Sequence, residues 1–120
     1  MGRYRMEKLG DQLRDEIATL IITGQVKDPR VSTFLTVNRV ELSKDLCHGK
    51  AYVSSFLSDA QVKRGVEGLN SAAGFIQSSI AKKLRIRQFP HLTFYVDTAM
   101  KQGFEMVQKL NELEKTHADV

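Results

Sequence analysis

Leu9, Leu13, Ile17 and Ile21 recur four residues apart near the start of the chain, with Met6 and Leu20 beside them. At 3.6 residues per turn these positions fall on one apolar stripe, so the pattern predicts an amphipathic helix over 4–23. Lys8, Asp11 and Asp15 lie off the stripe and meet water. Gly24 is placed to cap the helix, and Asp28-Pro29 prevents its continuation.

The period then changes. Residues 34–42 alternate as a strand, but with a change of parity: Leu35 and Val37 share one face, Val40 and Leu42 the other. Either a bulge falls between the two pairs or both faces are partly covered. Residues 50–56 alternate as a second strand, with Tyr52, Ser54 and Phe56 on one side, and the turn formers of 43–49 make a hairpin the economical reading. From a cap at Ser58 or Asp59 a helical pattern runs to about residue 86, first on Val62, Val66, Leu69 and Ala73, then on Ile76, Ile80 and Leu84. Gly65, Gly68 and Gly74 would each cost a continuous helix about 1 kcal/mol relative to alanine, so a break is expected in 70–74. Leu92, Phe94 and Val96 alternate as a third strand after Pro90. Phe104, Val107, Leu110 and Leu113 predict a last helix over about 98–115. The order is α-β-β-α-kink-α-β-α, one sheet with helices on a face and no repeats.

Composition adds bounds. At 120 residues, 42% hydrophobic and 27% charged, the chain is sized for one domain, 1–120, with a core over about 4–97. The single cysteine, Cys47, excludes an internal disulfide and suits a reducing compartment. No apolar run approaches the ~18 residues that span a bilayer. The expectation is a soluble cytoplasmic protein.

Charge is unevenly placed. Residues 60–90 hold six bases (Lys63, Arg64, Lys82, Lys83, Arg85 and Arg87) and one acid, Glu67, a net of +5 against +4 for the whole chain. Residues 97–120 carry a net of −2. A localised excess is a footprint for phosphates or acidic surfaces, although a solvated helix face would carry it equally well. With Ile76, Ile80 and Leu84 facing the core, Lys82 and Arg85 project outward, Lys83 flanks them and Arg87 falls where the helix ends. Such cations hold a phosphate backbone without reading bases. Tyr52 and Tyr95 are candidates for base stacking, with sheet packing the plainer role. At the break, Ala73-Gly74 allows a close backbone approach, and the helix that follows presents N–H groups.

Catalytic and metal chemistry find no pattern. His48, His91 and His117 are scattered, and one cysteine makes no zinc framework. Cys47 and His48 are adjacent with Asp45 nearby, but neighbours on an extended chain point apart. There is no phosphate loop and no dinucleotide fingerprint. No enzyme, cofactor or metal is expected.

Several stretches carry a family likeness: Asp28-Pro29-Arg30-Val31; Val40-Glu41-Leu42-Ser43-Lys44-Asp45-Leu46; Ala51-Tyr52-Val53-Ser54; and Leu84-Arg85-Ile86-Arg87 followed by Pro90, Leu92, Phe94 and Asp97. Together, from about Arg5 to Gly103, they resemble the ribosome-binding factor A family. The resemblance implies an α+β, type II KH-like domain: a three-stranded sheet packed by helices, with an alanine-x-glycine kink replacing the usual Gly-x-x-Gly loop. Ala72-Ala73-Gly74 matches that kink. It further implies a monomeric, non-enzymatic factor that binds the small ribosomal subunit and its rRNA. Such a factor supports late maturation and 5′-end processing, matters most in the cold, and has an assembly GTPase as a further partner. Arg64, Ala73, Gly74, Lys82, Lys83, Arg85 and Arg87 are the expected RNA-binding residues. Gln77 stands where many relatives carry arginine, which removes one expected phosphate contact. Contacts ascribed to the long charged tail of some members do not carry over. The alternative is a general KH-type single-stranded RNA binder, for which Gly65 and Gly68 have the loop spacing but enclose the acidic Glu67.

Overall fold

The computed structural model describes residues 2–98, with side chains from residue 5 onward, so the helix expected over 98–115 lies outside the described residues. Helix α1 spans Gly2–Ile22 and buries Leu13, Ile17, Leu20 and Ile21, the expected stripe. It closes on Gly24, whose φ of 70° suits glycine. There the Gly24 N–H reaches the Ile21 carbonyl at 3.1 Å and the Gln25 N–H reaches that of Leu20 at 3.0 Å, satisfying two carbonyls at the helix end.

Strands β1 (Thr36–Leu42), β2 (His48–Ser54) and β3 (His91–Val96) form a mixed sheet in that order, β2 running antiparallel to β1 and parallel to β3. The parity change has its cause in the register. Val37 pairs with Val53 but Arg39 with Tyr52, so Asn38 is the extra residue of a bulge. The bulge returns Val40 and Leu42 to the core side with Leu35 and Val37.

β2 begins and ends two residues earlier than the alternation suggested. The Asp45 carboxylate accepts from the Ser43 hydroxyl at 2.6 Å and from the Cys47 N–H at 3.0 Å, while Leu46 turns left-handed at φ 59°. This tight turn lets pairing resume at His48, and Phe56 falls outside the sheet.

Helices α2 (Asp59–Ser71) and α3 (Ala73–Leu84) make the crossover from β2 to β3. Ser58 caps α2 through a reciprocal box with Gln61. The break comes at Ala72 (φ −93°, ψ 6°), inside the expected window. Gly65 and Gly68 are explained by proximity instead of flexibility. A Cβ on Gly65 would lie 2.6 Å from Leu35 Cδ1, and one on Gly68 would lie 2.9 Å from Val31 Cγ2.

One apolar cluster joins the helices to one face of the sheet, with Phe94, Leu92, Ala51 and Val53 beneath Leu13, Ile17, Leu69, Ile76 and Ile80. The opposite face presents Lys50, Tyr52, Ser54 and Tyr95. The outer edge of β3 is covered by side-chain amides. Asn70 exchanges two bonds with the Phe94 backbone (3.0 and 2.7 Å), and Gln77 Oε1 accepts from the Leu92 N–H at 2.8 Å. Gln77 is thus a fastener between α3 and the sheet.

Candidate nucleic-acid interface

The apolar stripe of α3 turns Lys82 and Lys83 to the surface and carries the chain out at Leu84. α3 therefore stops two residues before the expected 86, and Arg87 lies in the following loop, not at the helix end. Arg85 takes the C-terminal position in the left-handed conformation, φ 55° and ψ 41°, with its N–H and that of Ile86 both bonded to the Ala81 carbonyl. Glycine is the usual residue there, and a Cβ in this region costs roughly 1–2 kcal/mol. An arginine kept at such a place points to a use for its side chain. Lys82, Arg85 and Arg87 are exposed and have no ion-pair partner among the described residues. Lys83 differs: its Nζ lies 2.8 Å from Glu16 Oε2 of α1, so part of its charge is spent tying two helices together.

At the kink, the two residues expected to receive RNA separate. Ala73 is buried in the core, which removes its side chain from any surface contact. Gly74 is exposed, and a Cβ there would meet nothing within 4 Å. Its φ is not among the positive ones, so the break makes no demand that only glycine meets. The bare surface at Gly74 remains open to a ligand. No side chain caps the N-terminus of α3, and beside it lies a cleft of about 300 Å³ lined by Gln25, Lys27, Asp28, Ser71, Ala72 and the half-exposed Phe75. Lys27 and Phe75 were not legible as site residues, because neither belongs to the charge excess of 60–90 or to an apolar stripe.

The Asp-Pro-Arg turn is consumed internally. Arg30 holds Asp28 through Nε at 3.0 Å and Nη2 at 2.8 Å, and Nη2 also reaches the Ser71 hydroxyl at 2.9 Å. Hydrogen bonds from the Arg30 side chain and N–H hold the Asp28 carboxyl at about 2, below its ordinary 3.8. The turn thereby fixes the end of α2 and the kink. Arg64 stands exposed on α2 and lines a second cleft with Phe34, Ser32 and Gln61, far along the chain from the α3 cations.

On the open sheet face, Tyr52 and Tyr95 sit 5.9 Å apart between ring centres, and the Arg39 guanidinium lies 4.1 Å over the Tyr52 ring. Arg39 is itself bonded to Glu41 and Asp97. Tyr52 is therefore packed under a cation instead of presented to solvent, and only Tyr95 is exposed. Cys47 Sγ donates to the Asp45 carbonyl at 3.6 Å and the Asp45 carboxylate serves the turn, its pKa lowered by the Ser43 hydroxyl and the Cys47 N–H. These are turn roles. Gly65 and Gly68 lie buried within α2, so their spacing makes no phosphate-binding loop.

A family model for ribosome-binding factor A matches residues 5–110, most of the chain. The chain belongs to the ribosome-binding factor A family. The ribosome-binding factor A of Treponema denticola is 53% identical over 114 residues, covering 95% of this chain and 86% of that protein. That of Dictyoglomus thermophilum is 41% identical over 111 residues, covering 92% of each. The crystal structure of ribosome-binding factor A from Thermus thermophilus superimposes with a TM-score of 0.65 at 30% identity, over 76% of this chain and 93% of that one. A homology model of the Thermus thermophilus ribosome-binding factor A, fitted into the cryo-EM map of its 30S complex, matches with a TM-score of 0.63 at 30% identity, over 78% of this chain and 96% of that one. The KH-like α+β fold expected of the family is the fold observed.

Proposed function

We propose that this protein is a non-enzymatic assembly factor that binds the small ribosomal subunit and its rRNA. In this reading it supports late maturation and 5′-end processing of that RNA, most of all in the cold. The observation that carries the reading is that Lys82 and Arg85 at the end of α3, and Arg87 in the loop that follows, are exposed and without an ion-pair partner among the described residues. Its family's ribosomal name and the relative placed in a 30S complex supply the target. Cations of this kind neutralise phosphates, and a protein that acts by binding alone changes an RNA's fate only by preferring one conformation over another. Misfolded RNA helices become long-lived as temperature falls, which accounts for the cold. A cytoplasmic monomer, with an assembly GTPase as a further partner, completes the proposal.

The test is a depletion strain grown warm and cold, with precursor small-subunit RNA and free subunits measured on gels and gradients. Precursor and free subunits should accumulate, more strongly in the cold. Normal processing and normal subunit ratios at both temperatures would remove the assembly role.

A further inference from the structure

Phe34 and Phe56 form an exposed aromatic pair at the far end of the sheet from Arg85. Phe34 precedes β1, Phe56 follows β2, and β3 ends beside them, because Thr36 pairs with Ser54 and Val53 with Val96. The rings lie 5.4 Å apart at 56° and are 58% and 82% exposed. Large apolar side chains so placed gain little from folding. Both turns are nonetheless tied down. The Ser55 hydroxyl donates to the Phe34 carbonyl at 2.9 Å, the Phe34 N–H donates to the Ser32 hydroxyl at 3.1 Å, and the Leu57 N–H donates to Ser55 Oγ at 3.3 Å.

The cleft beside Phe34 has a volume of about 380 Å³, and none of its lining residues is acidic. It offers the Ser32 hydroxyl, the Gln61 amide and the Arg64 guanidinium, which has no ion-pair partner among the described residues. An exposed aromatic ring next to an uncommitted cation suits a ligand that is both planar and anionic. An unstacked base with its phosphate is such a ligand: the ring stacks, and the guanidinium takes the charge. The Tyr52–Tyr95 pair is a poorer candidate, since Arg39 beside it is already bonded to Glu41 and Asp97.

We infer that Phe34, Phe56 and Arg64 form a binding site for an unpaired nucleotide of single-stranded RNA, separate from the cations of α3. The inference rests on the reading that the protein binds RNA, and it adds a contact that depends on a base being unpaired. The two sites lie toward opposite ends of a sheet whose seven-residue strands are about 23 Å long.

The test compares binding of a labelled ten-residue oligoadenylate with binding of a fully paired RNA duplex, using the full chain. Phe34→Ala with Phe56→Ala should weaken single-strand binding roughly ten-fold or more, leaving its salt slope and duplex binding unchanged. Arg64→Gln should weaken it too and flatten the salt slope by about 0.7. In the wild type, Phe34 and Phe56 ring protons should shift when oligoadenylate is added, a readout that needs no variant. Unmoved ring resonances, unchanged single-strand affinity in the double variant, or equal losses on both RNAs would each overturn the inference while leaving the assembly reading in place. A wild type that binds neither RNA would overturn both.

Discussion

Arg30 sits at the kink between α2 and α3 and Arg85 at the far end of α3, yet they do opposite work. Arg30 is bonded to Asp28 and Ser71, and the turn that carries it packs against Gly68 closely enough that a Cβ there would lie 3.1 Å from Arg30 Cβ. Arg85 sits in a costly left-handed conformation with no ion-pair partner among the described residues. A charge with internal partners is architecture, and one held exposed at a conformational cost is available to a ligand. The same contrast divides the glycines. Gly68 is wedged between α2 and the turn, whereas Gly74 faces open space.

Alanine at the two glycines is the sharpest way to break this comparison, and the larger effect belongs to Gly68. Gly68→Ala should destabilise the fold by about 1–2 kcal/mol in urea unfolding, because the gain in helix propensity is smaller than the cost of overpacking. A neutral result would mean that the turn yields easily.

Next comes Asp28→Asn, which should lower the melting temperature near neutral pH by loosening the end of α2. The Asp28 carboxyl is held at about 2 in the folded protein against an ordinary 3.8. A depressed carboxylate contributes stability that is present above its unfolded pKa and lost as pH falls through its folded one. The gap between wild type and variant should therefore be full at pH 6 and close between about pH 4 and pH 2. A gap that stays constant over that window would separate the turn's role from its charge.

Arg85→Gly should work in the opposite direction, raising stability by a few tenths to about 1 kcal/mol as left-handed strain is relieved, while RNA affinity falls. Loss of both together would give Arg85 a structural role that its exposure does not suggest.

The smallest effect is expected at the kink itself. Gly74→Ala should be neutral or stabilising by a few tenths of a kcal/mol, measured by thermal melting. The informative partner is Gly74→Val. If RNA backbone approaches the bare surface there, that change should weaken RNA binding with normal melting, and normal binding would place the interface elsewhere.

Much of the fold was legible because it is local. The stripes of α1, α2 and α3 and the stop at Gly24 follow from spacing along the chain. Spacing left the cap between Ser58 and Asp59, and the parity change between a bulge and two partly covered faces; the structure decides for Ser58 and for a bulge at Asn38. What was not legible depends on residues distant in sequence. Gly65 and Gly68 read as helix weaknesses because Leu35 and Val31, which fill the space beside them, are more than 25 residues away. The bond from the Leu92 N–H to Gln77 was not legible because that strand edge is formed 15 residues later in the chain. Ala73 was placed both on the first apolar stripe and, because it adjoins Gly74, among the RNA-binding residues, and it is the stripe that turns it inward. Lys83 read as free until α1 brought Glu16 against it. Phe56 read as a strand residue, and the turn at 43–47 that shifts β2 leaves it exposed.

The claim most in need of a direct measurement is that the end of α3 binds RNA through its free cations. Lys82→Glu with Arg85→Glu should leave melting nearly unchanged and sharply reduce co-sedimentation with small ribosomal subunits. Measured against salt, the log–log slope for RNA binding should flatten by about 1.5, the loss of two phosphate contacts. A folded double variant that keeps wild-type binding and the wild-type slope would contradict the account.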